Sequence, residues 1–206
     1  MKKIIFATLL LLAVSGARAA AIGPDELIRN TAQDVLNVVK SDKDLRAGDQ
    51  TKLLALVDAK VLPYFDFERM TRLAAGKNWR NATPDQKTRL VTEFRNLLVR
   101  TYTGAFTRFE NQSVDVRPAK YTPSDDEVTV RTTINKPGAQ PISVDYQMEK
   151  QPDGSWKAFD LTVEGASLVS TYRSTFTEQI QQGGIDGLIK ALADKNSQAA
   201  QKKGGN

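Results

Sequence analysis

The groups that usually carry chemistry are unevenly supplied in this chain. Its 206 residues include no histidine and no cysteine. That excludes a Ser-His-Asp triad, an imidazole base, a thiolate nucleophile and any disulfide. It also removes the ligands that zinc mostly takes, and no cofactor or metal motif replaces them. Asp145 and Asp160, with Tyr102 and Tyr146, could supply an acid and a proton donor in a half-open sheet pocket, as isomerases do. Isolated carboxylates on strands more often face solvent. Asp125-Asp126-Glu127 could attract a cation, but it lies in a turn and lacks the spaced ligands of a calcium loop. No glycine-rich phosphate loop, G-x-S-x-G elbow or paired-carboxylate motif is found.

Cationic residues concentrate on one segment. Lys87, Arg89, Arg95, Arg100 and Arg108 share one side of a helical repeat. They either meet an acidic partner or phosphate, or form the wet side of an amphipathic helix. Arg95 and Arg100 are the candidates for partner docking. The whole chain holds 29 basic and 24 acidic residues. Residues 1–21, MKKIIFATLLLLAVSGARAAA, read as a secretory signal peptide: Lys2 and Lys3, a short apolar run, then Ala17-Arg18-Ala19. Without residues 1–19, and so without Lys2, Lys3 and Arg18, the balance is 26 basic to 24 acidic. A nucleic-acid partner then has no electrostatic basis. Export without disulfides suits a bacterial periplasm.

The remaining signal is apolar, and its period names the elements. Helical spacing of Leu27, Ile28, Val35, Leu36, Val38 and Val39 predicts a helix over 24–40. Residues 41–48 read as a polar break. A second helix runs from Asp49 to Val61 before Pro63, and a third follows a cap at Asp66 and stops at Gly76. Thr83-Pro84-Asp85-Gln86 is a capping box. It opens a helix of about 25 residues, roughly 38 Å long, with Leu90, Phe94, Leu98, Tyr102, Phe106 and Phe109 on its apolar face. The period then falls to two. Strands are expected at 113–117, 128–134, 142–149 and 156–163, with turns at Lys136-Pro137-Gly138 and Pro152-Asp153-Gly154. Alternation places Phe159, Leu161 and Val163 on one face. Two closing helices, split at Gly183-Gly184, carry Leu168, Val169, Tyr172, Phe176 and Ile180, then Ile185, Leu188, Ile189 and Leu192. Residues 196–206 read as a disordered tail.

This order predicts an α+β fold: an antiparallel meander with helices packed on one face. An N-terminal helical half and the C-terminal helices would enclose an apolar pocket. Residues 20–195 form a single domain. Periodicity alone does not distinguish a pocket from a filled core.

A resemblance adds what periodicity cannot. Val61-Leu62-Pro63-Tyr64-Phe65-Asp66-Phe67-Glu68-Arg69-Met70, then Trp79 and Ala82-Thr83-Pro84-Asp85-Gln86, is similar to the toluene-tolerance, or MlaC, family of periplasmic phospholipid carriers. The similarity continues through Phe94-Arg95-Asn96-Leu97-Leu98, Thr101-Tyr102, Val144-Asp145-Tyr146 and Trp156-Lys157-Ala158-Phe159-Asp160. Val163-Glu164-Gly165-Ala166-Ser167-Leu168-Val169 and Gly184-Ile185-Asp186-Gly187-Leu188 complete it. It implies a non-enzymatic shuttle for phospholipid. The donor would be an outer-membrane lipoprotein–porin complex, and the acceptor a lipid-binding ring domain on an inner-membrane ABC transporter. Each methylene leaving water gains about 0.8 kcal/mol, so two acyl chains of about 30 methylenes would cost over ~20 kcal/mol if exposed. Such a carrier needs a dry pocket rather than a charged one. The candidate acyl-chain contacts are Phe94, Leu98, Tyr102 and Phe106, then Val144, Tyr146, Met148, Phe159 and Val163, then Leu168 and Tyr172. The residues alone leave two rivals open, a small sheet-pocket enzyme of isomerase type and a ligand-free periplasmic adaptor.

Overall fold

The computed structural model describes residues 22–103 and 112–204, the side chains of 202–204 excepted. The segment expected to be a signal peptide lies outside these residues, as do Phe106, Arg108 and Phe109. Helix α1, Pro24–Ser41, begins with proline in its first turn beside Asp25 and Glu26, which suits the positive helix start. It buries Leu27, Ile28, Val35, Leu36 and Val39.

The expected polar break contains a one-turn helix, α2 (Lys43–Arg46). The Asp42 carboxylate accepts from the amides of Asp44 and Leu45, and Leu45 is buried. One cap and one apolar anchor thus order a stretch whose composition reads as loop. Asp49 caps α3 (Gln50–Lys60) and Asp66 caps α4 (Phe67–Ala75) in the same way. Gly76, at φ 57°, closes α4. Both halves of the expected capping box form at the start of α5 (Pro84–Thr103): Gln86 N donates to Thr83 Oγ1 at 3.2 Å and Thr83 N to Gln86 Oε1 at 3.0 Å.

The sheet is an antiparallel meander, β1 (Ser113–Val116), β2 (Glu127–Asn135), β3 (Ile142–Lys150), β4 (Trp156–Val163) and β5 (Ala166–Ser167), ordered as in the chain. Its register puts Val128 opposite Met148, Val130 opposite Tyr146 and Thr132 opposite Val144. Tyr146 faces Leu161 and Val144 faces Val163 on the other side. These residues form one apolar face.

A bulge breaks the simple alternation on β4. Gln147 pairs with Asp160 and Met148 with Ala158, leaving Phe159 as the extra residue. Phe159 is therefore out of phase with Leu161 and Val163, and Ala158 takes the core position opposite Met148. Glu164-Gly165 joins β4 to β5 with both φ angles positive, 49° and 82°, as a tight two-residue hairpin requires.

Helix α6, Leu168–Gly204, is broken at Gly184 (φ 66°, ψ −168°), where the sequence expects its break. It does not end at 195. Helical backbone continues to Gly204, and Asn196 is buried, with Nδ2 donating to Glu93 O at 3.0 Å and Glu93 Oε2 at 2.7 Å. A polar side chain anchors this stretch.

Candidate functional site

Two apolar surfaces with similar sequence patterns pack differently. The first joins α4, α5 and α6. Phe94 is wholly buried and meets Tyr172 and Phe176 edge-on, with ring centroids 4.9 Å apart in each case. Met70, Leu90, Leu98, Val169 and Leu188 pack around them. Tyr102 and Tyr172 sit at the margin of this cluster. The Tyr172 hydroxyl is pushed up to about 12, first by burial and then by the Tyr102 hydroxyl beside it. This is a filled core with one tyrosine pair at its edge.

The second surface is the apolar face of the sheet. Leu27 and Ile28 of α1 pack against Val128, Val130, Met148, Trp156 and Ala158. Toward the other end of β3 and β4 the cover thins. Tyr146, Leu161 and Val163 each keep accessible surface, and Ile142 at the rim is 45% exposed. Burial nonetheless pushes the Tyr146 hydroxyl up to about 12. That hydroxyl has no hydrogen-bond partner among the described residues. Tyr146, Leu161 and Val163, each partly buried, thus form the thinly covered end of the apolar face.

The candidate contacts therefore fall into groups. Phe94, Leu98, Tyr102 and Tyr172 belong to the helical cluster, and Tyr146 and Met148 to the sheet cluster. Val144 is buried, Val163 across from it is half-exposed, and Leu168 is buried at the β5–α6 junction. Phe159 lies under the Arg69 guanidinium, 3.5 Å from the ring centroid.

The four groups considered for acid–base chemistry are not brought together. Asp145 is on the face opposite Tyr146, 3.9 Å from Arg131. Asp160 is a structural cap, accepting from Ser167 Oγ at 2.5 Å and Val169 N at 3.0 Å, which ties the start of α6 to β4. The acidic triplet is likewise divided: Asp125 closes a turn by accepting from Thr122 N, and Glu127 pairs with Arg69.

The two docking candidates also differ. Arg95 forms an ion pair with Asp58 and lies over the Phe67 ring. Arg100 lines an open cleft of ≈ 280 Å³ between α3 and α5, with Leu54, Ala55, Asn96, Val99 and the same Asp58. The role of Arg69 is not evident from its place in the sequence alone. The readable signal was the meander itself, whose register sets Glu127 directly against Glu149. A like-charged pair of this kind needs a counter-charge.

Comparison with known proteins matches this architecture. The family model described as MlaC protein matches residues 29–194. The intermembrane phospholipid transport system binding protein MlaC of Haemophilus influenzae is 22% identical over 187 residues, covering 90% of this chain and 87% of its own. The toluene tolerance protein ttg2D of Pseudomonas putida is 26% identical over 189 residues, covering 88% and 85%. A phospholipid-binding protein from Ralstonia solanacearum, solved in complex with a phospholipid, superposes with a TM-score of 0.80 at 38% identity. The match covers 87% of this chain and 99% of that one. The chain belongs to the MlaC family.

Proposed function

We propose that this protein is a phospholipid carrier of the periplasm, that it catalyses no reaction, and that the acyl chains lie against the open part of the sheet face around Tyr146, Leu161 and Val163. The observation that carries the reading is the Ralstonia chain, which shares nearly its full length with this one and holds a phospholipid. The thinly covered end of the sheet face supports it: Ile142, Tyr146, Leu161 and Val163 keep accessible surface there, and an acyl chain laid along them leaves its head group toward water. The finer part of the proposal is that it shuttles lipid between an outer-membrane lipoprotein–porin complex and the ring domain of an inner-membrane ABC transporter. The name of the Haemophilus relative, a binding protein of an intermembrane phospholipid transport system, supports a role between two membranes. Arg100, with its cleft, is the better docking candidate, because Arg95 is already paired with Asp58.

Mass spectrometry of an organic extract tests the reading on the gently purified, exported protein. It should find phospholipid close to one per chain, with mixed head groups. A protein that arrives empty and takes up no lipid from vesicles of phosphatidylethanolamine and phosphatidylglycerol would overturn it.

A further inference from the structure

A largely buried arginine with two carboxylate partners lies where the helices meet the sheet. Glu127 on β2 and Glu149 on β3 stand directly opposite each other, an unfavourable like-charge pair. Arg69 of α4 reaches both. Its Nη2 donates to Glu127 Oε1 at 2.5 Å, and its Nη1 is 2.7 Å from Glu149 Oε1, an ion pair without hydrogen-bond alignment. The Arg69 side chain is only 13% exposed, and the guanidinium stacks on Phe159. Burying a guanidinium forfeits its hydration, and apolar groups of the same shape often give equal or greater stability. The arrangement is thus a poor source of stability taken alone.

Its position gives it another role. The helical cluster and the sheet cluster are separate sets of buried residues, and Phe65 packs against both. Beside it Asp66 N donates to Ala158 O at 2.9 Å. Those contacts reach β4. Arg69 crosses β4 to grip β3 and β2, while Met70, the next residue, is buried in the helical cluster. The planar fork of arginine is suited to holding two carboxylates at once; a lysine ammonium is not. With Arg69 in place the glutamates are neutralised. With Arg69 withdrawn they repel across the ladder.

We propose that Arg69 is a positioning residue: a latch that holds the helical cluster against the sheet and sets how fast bound phospholipid exchanges. This rests on the carrier reading above. The variants are Arg69→Met, Arg69→Lys, the pair Glu127→Gln with Glu149→Gln, and the triple combining Arg69→Met with both glutamines. Arg89→Met is the control, because it breaks exposed pairs with Asp85 and Asp186. The readout is transfer of a fluorescent phosphatidylglycerol from loaded protein to vesicles of phosphatidylethanolamine and phosphatidylglycerol. Arg69→Met should release lipid roughly fivefold faster than wild type, a size that suits ion pairs whose carboxylates are partly exposed. Arg69→Lys should fall between them. The triple variant should be slower than Arg69→Met, since the glutamate repulsion is gone, and Arg89→Met should match wild type. Arg69→Met at the wild-type rate, a triple variant as fast as Arg69→Met, or an equally fast Arg89→Met would each overturn the latch. Should Arg69→Met fail to fold, the double glutamine variant decides: faster release supports the latch and an unchanged rate overturns it. Amide hydrogen exchange of empty protein separates the two readings. Loss of protection at Asp66 and along α4 in the double variant supports the latch even if the wild-type protein carries no phospholipid. Unchanged protection overturns it.

Discussion

The helical cluster and the sheet face both arise from stripes of large apolar residues, yet they end in different physical states. Around Phe94, three aromatic rings interlock and neighbours from three helices close every side. Around Tyr146, the ladder partners Leu161 and Val163 keep open surface, and a deep hydroxyl has no partner among the described residues. The difference lies in what covers each stripe. Two long helices shield the first, whereas α1 shields only part of the second. A stripe of apolar residues is therefore a core or a binding wall according to its neighbours in space. Its sequence pattern is the same in both cases.

The contrast predicts opposite responses to mutation. Phe94→Ala should be the most damaging change, at about 3–5 kcal/mol, read by urea unfolding of lipid-free protein. A loss under about 1 kcal/mol would mean that the helical cluster is as loosely filled as the sheet face. Tyr146 should behave differently. With no bond to lose, Tyr146→Phe should change stability at pH 7 by less than about 0.5 kcal/mol. At high pH the sign is fixed by linkage. A tyrosine at 10 when unfolded and about 12 when folded contributes its full stability below pH 10 and loses it as pH rises toward 12. Tyr146→Phe should flatten that part of the profile, measured by chemical unfolding between pH 9 and 12 (an order-of-magnitude window from the shift). The effect at the end of α6 falls between these two. Asn196→Ala removes the bonds to Glu93 and should cost about 1–2 kcal/mol. If it costs nothing measurable, the last turns are not anchored there.

Much of this was legible from local rules. The capping box at Thr83–Gln86, the cap at Asp66, the break at Gly184 and four of the strands follow from side-chain chemistry acting over three or four residues. What escaped is non-local or depends on a single residue. The bulge at Phe159 is a property of the paired strands, and period two assigns that ring to the wrong face. The turn at α2 depends on Asp42 and a lone Leu45. The end of α6 is held by an asparagine that meets Glu93 more than a hundred positions away. At the candidate site, the residues of the sheet face were readable. Which of them stay open was not, because that depends on how far α1 extends over them. Arg69 escaped for the same reason, since its glutamates converge only when the sheet forms.

The central claim, that the open end of the sheet face holds acyl chain, is tested most directly at Val163. Val144 opposite it is buried, so Val163 is the position where added bulk enters that open end first. Val163→Trp should be measured for phospholipid phosphorus per chain as purified, and for its unfolding midpoint when lipid-free. The open end of the face accepts the indole, whereas a close-packed core loses about 1–3 kcal/mol to such overpacking. The account predicts a lipid load well below wild type and a midpoint close to it. A variant that keeps its full lipid load and unfolds earlier would show that Val163 is packed core and that the acyl chains lie elsewhere.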